Sequence, residues 1–536
     1  MRTLRPLTVA WLLFAATTAA ALESPASNER LNPAGIDGTL ILVGGDEVPE
    51  AFAERFVAMS GGAKANLVVL STIREQAASE EAEKPLAAWK PHTVASLTHL
   101  HTAERKAADD PKFVEPLRNA TGVWLSGYGT ADAASVFADT MIARELAAVL
   151  KRGGVVGGNG SGALALGQHL ATPDDASGSL RRGLSLLPGV AIAFGNPSPL
   201  AKYLEQHPNI VGIELASRTA LALHGRDVRV FGEGSVSILL GKTATRATRT
   251  AVLKDGARTD LTMWRRAAHA RAGAAPPPKE APPSEVPHGS LVIVGGGGMP
   301  AAVLKKFIEL AGGPDALIVV LPTALEPGMM DRGGDDTMFH RAGAKNVEVL
   351  RAKTLTEVED PKTLETLKKA KGVWFGGGRQ WRFVDAYEGT KAEELFRDVL
   401  RRGGVIGGSS AGATIQGDYL CRGSPLGNLE MMCEGYERGF GYLPGVAIDQ
   451  HFSQRNRYKD MTALKKVYPQ LLGIGIDEAT ALIVHGQLAE VIGQNKAQFF
   501  GNGRSGEEGI PDYDVVYPGG EYDLKARKIV KPGEKK

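Results

Sequence analysis

One serine stands in a setting that could make it a nucleophile. Gly408-Ser409-Ser410-Ala411-Gly412 follows the apolar run Gly404-Val405-Ile406-Gly407 and opens a helix-compatible stretch. G-x-S-x-G between a strand and a helix is the sequence form of a nucleophile elbow. The tight bend demands small flanking residues, lifts the hydroxyl of Ser410 above the sheet, and aims it at a helix start whose dipole favours developing negative charge. The N–H of Ala411 is the first candidate oxyanion donor. The second is expected from the turn Gly376-Gly377-Gly378, at Gly378. Glycine-rich strand–helix turns also bind phosphate, so the motif needs partners before it means catalysis.

A serine hydroxyl is a poor nucleophile at neutral pH until a base takes its proton. His451, in Asp449-Gln450-His451-Phe452, closes the apolar run Gly445–Ile448 about 40 residues downstream. A lone strand-end histidine is usually structural. In a parallel sheet, however, strand C-termini converge on one crevice, and here an elbow serine precedes it. The base needs an acid to fix its tautomer. Asp418, Glu430, Glu434 and Glu437 lie between Ser410 and His451. Glu430 is preferred, although spacing alone does not choose among them.

Such a site needs strands and helices to carry it, and the chain provides them twice. Leu40-Ile41-Leu42-Val43-Gly44-Gly45 with Pro49 matches Leu291-Val292-Ile293-Val294-Gly295-Gly296 with Pro300. LVVLST (67–72) matches IVVLPT (318–323), and GVWLSGYG (122–129) matches GVWFGGGR (372–379). KRGGVVGGNGSGA (151–163) matches RRGGVIGGSSAGA (401–413), LLPGVAI (186–192) matches YLPGVAI (442–448), and RTALALHG (218–225) matches ATALIVHG (479–486). Order and spacing persist, which reads as a repeat of roughly 250 residues. Continuous apolar strands alternate with helical patterns such as 300–310 and 392–402, so each half is expected to be an α/β domain with a mainly parallel sheet covered on both faces.

The expected boundaries are a signal peptide over 1–21, a first domain over 22–266, an Ala/Pro-rich linker over 267–290 and a second domain over 291–536. The signal is read from Arg2 and Arg5, the apolar run 7–16 and the small residues before position 22. It predicts export to a periplasm or beyond, with no membrane anchor after cleavage. The 536 residues carry a net charge of +2, which gives no reason to expect a nucleic-acid partner. Two cysteines, Cys421 and Cys433, lie close enough in sequence to form a disulfide or to remain buried thiols. No Cys/His cluster has metal-ligand spacing, and no cofactor is called for.

The strings GGSSAGA (407–413), LPGVAIDQHF (443–452) with Arg455 and Arg457, and GIGIDEATAL (473–482) resemble cyanophycinase and its relatives in the serine peptidase family that also contains aspartyl dipeptidase. The resemblance covers nearly all of the second half. It implies a class I glutamine amidotransferase-like fold, here two tandem three-layer α/β sandwich domains. It implies Ser410 as nucleophile, His451 as base, and an acid before the Leu-Pro-Gly turn, favouring Glu430 with Glu434 in reserve. Gln380 matches a glutamine that helps hold an aspartyl residue. Asp449, Gln450, Arg455 and Arg457 match positions of a pocket for a β-aspartyl-arginine unit. The implied substrate is a peptide or isopeptide. One departure is Asp460, where such proteins carry a further arginine.

The first half matches as a scaffold but not as a site. Gly160 stands at the place of Ser410, Gly195 at that of His451, Thr130 at that of Gln380, and Ala216-Ser217 at that of Asp477-Glu478. It is expected to fold without catalysing and to pack on the second half as an intramolecular pseudo-dimer. Three other readings compete. One is an exopeptidase of aspartyl dipeptidase type. A second is a non-catalytic binding protein built from hydrolase domains. The third is a dinucleotide-binding domain, suggested by Val294-Gly295-Gly296-Gly297-Gly298-Met299-Pro300 but lacking an acidic residue after the second strand.

Overall fold

A computed structural model describes residues 31–73, 83–129, 132–171, 180–194, 200–273, 277–330, 335–501 and 511–535. The expected signal peptide, together with Thr130 and Gly195, lies outside these residues. The part from Asn32 to Lys536 forms one compact unit. No helix among the described residues is long and apolar enough to cross a membrane.

Each half carries a large and a small sheet. In the second half the large sheet has nine strands among the described residues. Its parallel part runs Val347–Val349, Ile318–Leu321, Gly372–Phe375, Val405–Ser409, Val286–Val294. The sheet continues in antiparallel register through Thr480–Gly486, Leu488–Gly493, Glu521–Asp523 and Lys528–Lys531. The small sheet orders Gly417–Tyr419, Leu443–Gln450, Leu472–Ile476, Ala497–Phe500 and Asp514–Val516. The sheets of the first half follow a corresponding order, with Thr39–Val43 between Val155–Asn159 and Thr219–His224.

Alternation of side chains along each strand explains why these runs are apolar throughout. Val292, Val294, Ile318 and Val320 pack on one face against Val303, Phe307 and Phe339. Leu291, Ile293, Val319 and Leu321 pack on the other against Phe383, Phe396 and Val399. Helices therefore cover both faces, as the sequence pattern predicts. The second of these apolar clusters also takes in Leu40, Leu42, Val190 and Trp264, so one core passes through both halves.

The linker is shorter than expected. Ala267 to Ala272 are helical, part of the helix Leu261–Ala272 that closes the first half. Asp260 caps this helix by accepting from the Met263 N–H at 2.8 Å. Its alanines are strong helix formers, and Met263, Trp264, Ala267, Ala268 and Arg271 are buried. The first six residues read as linker are thus the end of a helix packed into the core, and the strand of the second half already begins at Val286.

Candidate active site

Ser410 follows the strand Val405–Ser409 and has φ 56° and ψ −111°. A positive φ on a non-glycine residue costs roughly 1–2 kcal/mol and persists only where surrounding structure imposes it. The Ser410 N–H donates to the Val294 carbonyl at 3.0 Å, and its carbonyl accepts from Ala413 and Thr414. The following helix, Ala411–Thr414, is a single turn, too short for a substantial dipole. What remains is local: the Ala411 N–H sits in a first turn, where no intrahelical acceptor exists.

His451 and Glu478 reach the serine from the small sheet. Leu443–Gln450 and Leu472–Ile476 are adjacent and parallel, with Gln450 opposite Ile476. Residues just beyond the two strand ends are therefore neighbours. His451 Nε2 lies 3.1 Å from Ser410 Oγ, and His451 Nδ1 lies 2.6 Å from Glu478 Oε1. Serine, imidazole and carboxylate form the chain of contacts that proton transfer from a nucleophilic hydroxyl requires.

Glu478 corrects the expected acid. Glu430 is exposed, and Glu434 is engaged by Arg271 at 2.7 Å. Glu437 accepts from Arg246 at 2.7 Å, and Asp418 accepts from the Gly445 N–H at 3.2 Å. None of these four candidates is the partner of His451, and neither is Asp449, the fifth carboxylate of the interval, which binds Arg422 and Arg457. The missed signal was present: Asp477-Glu478 is absent from the first half together with the serine and the histidine.

The glycine run after Val294 also has a different meaning from a nucleotide fingerprint. A Cβ on Gly296, whose φ is +91°, would lie 2.5 Å from His451 Cε1. One on Gly297 would lie 2.2 Å from Glu478 Cδ. These glycines clear the space that the imidazole and the carboxylate occupy. Gly295 accepts the His451 N–H at 2.9 Å, which fixes the ring's backbone.

In the turn 376–378 the end donors are engaged, Gly376 N–H to Leu321 and the following Arg379 N–H to Ala324. Gly377 faces the serine, since a Cβ there would sit 3.6 Å from Ser410 Cβ. Gly378, the expected donor, packs its α-carbon on Ala324, with a would-be Cβ 2.3 Å from that carbonyl.

The residues expected to bind substrate divide into two groups. Arg455 is exposed, while Gln380, Asp449, Gln450 and Arg457 are buried. Asp449 binds Arg457 Nη1 at 2.6 Å and Arg422 Nε at 3.1–3.2 Å. Arg422, which the sequence reading passed over, also donates to Asp460 at 2.6 Å and to the carbonyls of Asn428 and Leu429. Asp460 is thus the partner of an arginine rather than a replacement without function. Gln380 donates to the carbonyls of Cys421 and Arg422, both at 2.7 Å, and so holds the backbone that carries Arg422. Gln450 Oε1 is buried and has no hydrogen-bond partner among the described residues. Cys421 and Cys433 are separate buried thiols, and burial pushes Cys433 up to about 12.

Burial lowers the pKa of His451 below its ordinary value, the nearby Arg455 and Arg457 act in the same direction, and Glu478 opposes them. A neutral imidazole at neutral pH is the form able to accept the serine proton. Burial likewise lowers Arg457, whereas Asp449 and Asp460 outweigh the burial of Arg422 and raise it.

In the first half Gly160 keeps a positive φ of 49°, but a Cβ there would meet Asp46 Oδ1 at 2.6 Å. Asn159 binds Trp124, Gly127 and Asp46 at 2.6–3.1 Å. The place of the nucleophile is closed by the protein's own polar groups.

The model of peptidase family S51 matches residues 291–492. Cyanophycinase from Geminocystis herdmanii (strain PCC 6308) is 34% identical over 198 residues, covering 36% of this chain and 72% of that protein. This chain belongs to peptidase family S51. Cyanophycinases from Trichormus variabilis and Synechococcus elongatus are 31% and 33% identical, over 34% and 33% of this chain, and the match spans only 61% and 56% of their own lengths. A peptidase from an acI-B1 Actinobacterium is 22% identical with a TM-score of 0.36, covering 45% of this chain and 98% of that one. A putative peptidase E protein from Listeria monocytogenes EGD-e is 18% identical with a TM-score of 0.29, covering 38% and 97%. As a member of family S51, the protein is a serine-type peptidase.

Proposed function

We propose that this S51 peptidase hydrolyses β-aspartyl peptide or isopeptide bonds, of the β-Asp-Arg kind, through an acyl-enzyme on Ser410. The observation that carries the reading is the contact chain Ser410 Oγ–His451 Nε2–His451 Nδ1–Glu478, at 3.1 and 2.6 Å. Ser410 Oγ attacks the carbonyl carbon as His451 Nε2 takes its proton, and Glu478 stabilises the imidazolium. The oxyanion faces the N–H of Ala411 and an N–H of the turn 376–378; such a donor is typically worth about 10²–10³ in rate. The C–N bond breaks, His451 returns the proton to the leaving amine, and water then hydrolyses the ester with His451 again as base. The exposed Arg455 supports recognition of a substrate carboxylate, with Arg422 and Arg457 holding Asp449 behind it. The named activity of the cyanophycinase relatives supports the β-aspartyl class.

In the same reading the first half is a catalytically silent domain, supported by Gly160 and by Asp46 beside it. Export is part of the reading and is supported by the charged and apolar sequence of residues 2–21. Intact-mass measurement of protein secreted by the native host tests it, and retention of residues 1–21 would refute it. The test of the chemistry compares wild type with Ser410→Ala on cyanophycin and on β-aspartyl dipeptides. Hydrolysis that survives the substitution removes the mechanism. Activity confined to the dipeptides moves the specificity to the aspartyl dipeptidase type.

A further inference from the structure

The first half grips the second through a short segment that ends beside the pocket. Glu434, Gly435, Tyr436 and Glu437 are each held by first-half residues. Arg271 forms a bidentate pair with Glu434 at 2.7 and 3.0 Å, and its remaining nitrogen donates to the carbonyls of Gly241 and Ala247. Arg266 donates to the Gly435 carbonyl at 2.9 Å and lies over the Tyr436 ring. A Cβ on Gly435 would fall 2.5 Å from the Ala267 nitrogen, so this backbone rests directly on the helix Leu261–Ala272. Arg226 Nη2 donates to Tyr436 OH at 2.9 Å, and Arg246 Nη2 to Glu437 at 2.7 Å.

The same segment reaches Arg422 through the neighbouring backbone. Leu420 N–H, two residues before Arg422, donates to the Glu437 carbonyl at 2.8 Å, and Arg422 N–H donates to the carbonyl of Met431, three residues before Glu434, at 2.9 Å. Arg422 has φ +57°, a strained value that needs external support. Its side chain sets Asp449, two residues before His451, and bonds Asp460.

Resting on the assignment of Ser410, His451 and Glu478 as the reacting centre, we propose that Arg271 is a positioning residue for substrate recognition. With Arg246 and Arg266 it holds residues 434–437, and through them sets Arg422 and the pocket around Asp449. The first half would then determine how well the second half binds its substrate, while the nucleophile is assembled within the second half alone.

The full chain carrying Arg271→Ala tests this, with Glu434→Gln as a milder change on the other side of the pair. The expected result is a KM for β-aspartyl-arginine raised about tenfold, with kcat and the labelling rate of Ser410 by a small fluorophosphonate within about twofold. Hydrogen exchange of residues 421–430 should accelerate, while that of 405–415 stays unchanged. Arg271→Lys should recover part of the KM, since it keeps the charge but not the fork. An unchanged KM and unchanged exchange at 421–430 would overturn the proposal. So would a parallel fall of kcat, labelling and thermal stability, which marks a purely structural role. If Arg271→Ala does not fold, Glu434→Gln decides by the same readings. If wild type cleaves no β-aspartyl bond, the proposed function fails separately and the exchange measurement still decides the coupling.

Discussion

Replacing Glu478 with glutamine keeps the shape of the triad and removes its charge. The carboxylate lies 2.6 Å from His451 Nδ1, and its side chain is 34% exposed. Opposite unit charges about 4 Å apart attract by roughly 4 kcal/mol at an effective dielectric of 20. Solvent screening of a group one-third exposed leaves about 2–3 kcal/mol for the imidazolium that forms in the transition state. At 1.36 kcal/mol per decade, this is a loss of about 30- to 150-fold in kcat. Loss of tautomer control adds to it, with about 10⁴ as the upper bound set by the comparable change in serine proteases. Steady-state kinetics on a β-aspartyl dipeptide, with active-site titration of Ser410, measures it. Glu430→Gln is the matched control and should stay within about twofold, because that side chain is exposed and His451 is paired elsewhere. A Glu478→Gln enzyme within threefold of wild type, or equal losses in both variants, would refute the assignment of the acid.

Two further outcomes follow from the geometry around the imidazole. Arg455 helps depress His451, so Arg455→Gln should raise its pKa toward the ordinary 6.5. The neutral base is lost as pH falls, so the acidic limb of kcat/KM should move to higher pH, by a few tenths of a unit for an exposed cation. Added salt should shift wild type the same way, and a limb that stays fixed or moves down contradicts the charge argument. Gly296→Ala places a Cβ 2.5 Å from His451 Cε1 at φ +91°. It should cost more than about 100-fold in kcat, since misplacement by an ångström is worth that much. Kinetics within fivefold of wild type would mean that the ring has room to move.

How much of this was readable beforehand depended on whether the relevant contact was local in sequence. The elbow was legible because its strand, bend and helix turn are consecutive, and the sheet core because strand alternation imposes apolar runs. The helix through Ala272 was misread, because alanine-rich composition suits both a linker and a helix; only Asp260 as cap and the apolar spacing of Met263, Trp264 and Ala267 separate them. The expected acid differs from the observed one for a topological reason. A search confined to the interval between serine and histidine assumes that the triad closes within one loop. In a parallel pair the residue beside a strand end belongs to the next strand of the same direction, a full crossover later. Gln450 opposite Ile476 puts His451 next to Glu478 across 27 residues of chain. The comparison between halves carried that information without any structure. Ser410, His451 and the Asp477-Glu478 pair all change in the first half while the strands around them persist. Residues that disappear together from an otherwise retained scaffold are expected to work together, and that pattern pointed to Glu478 more directly than proximity in sequence pointed to Glu430.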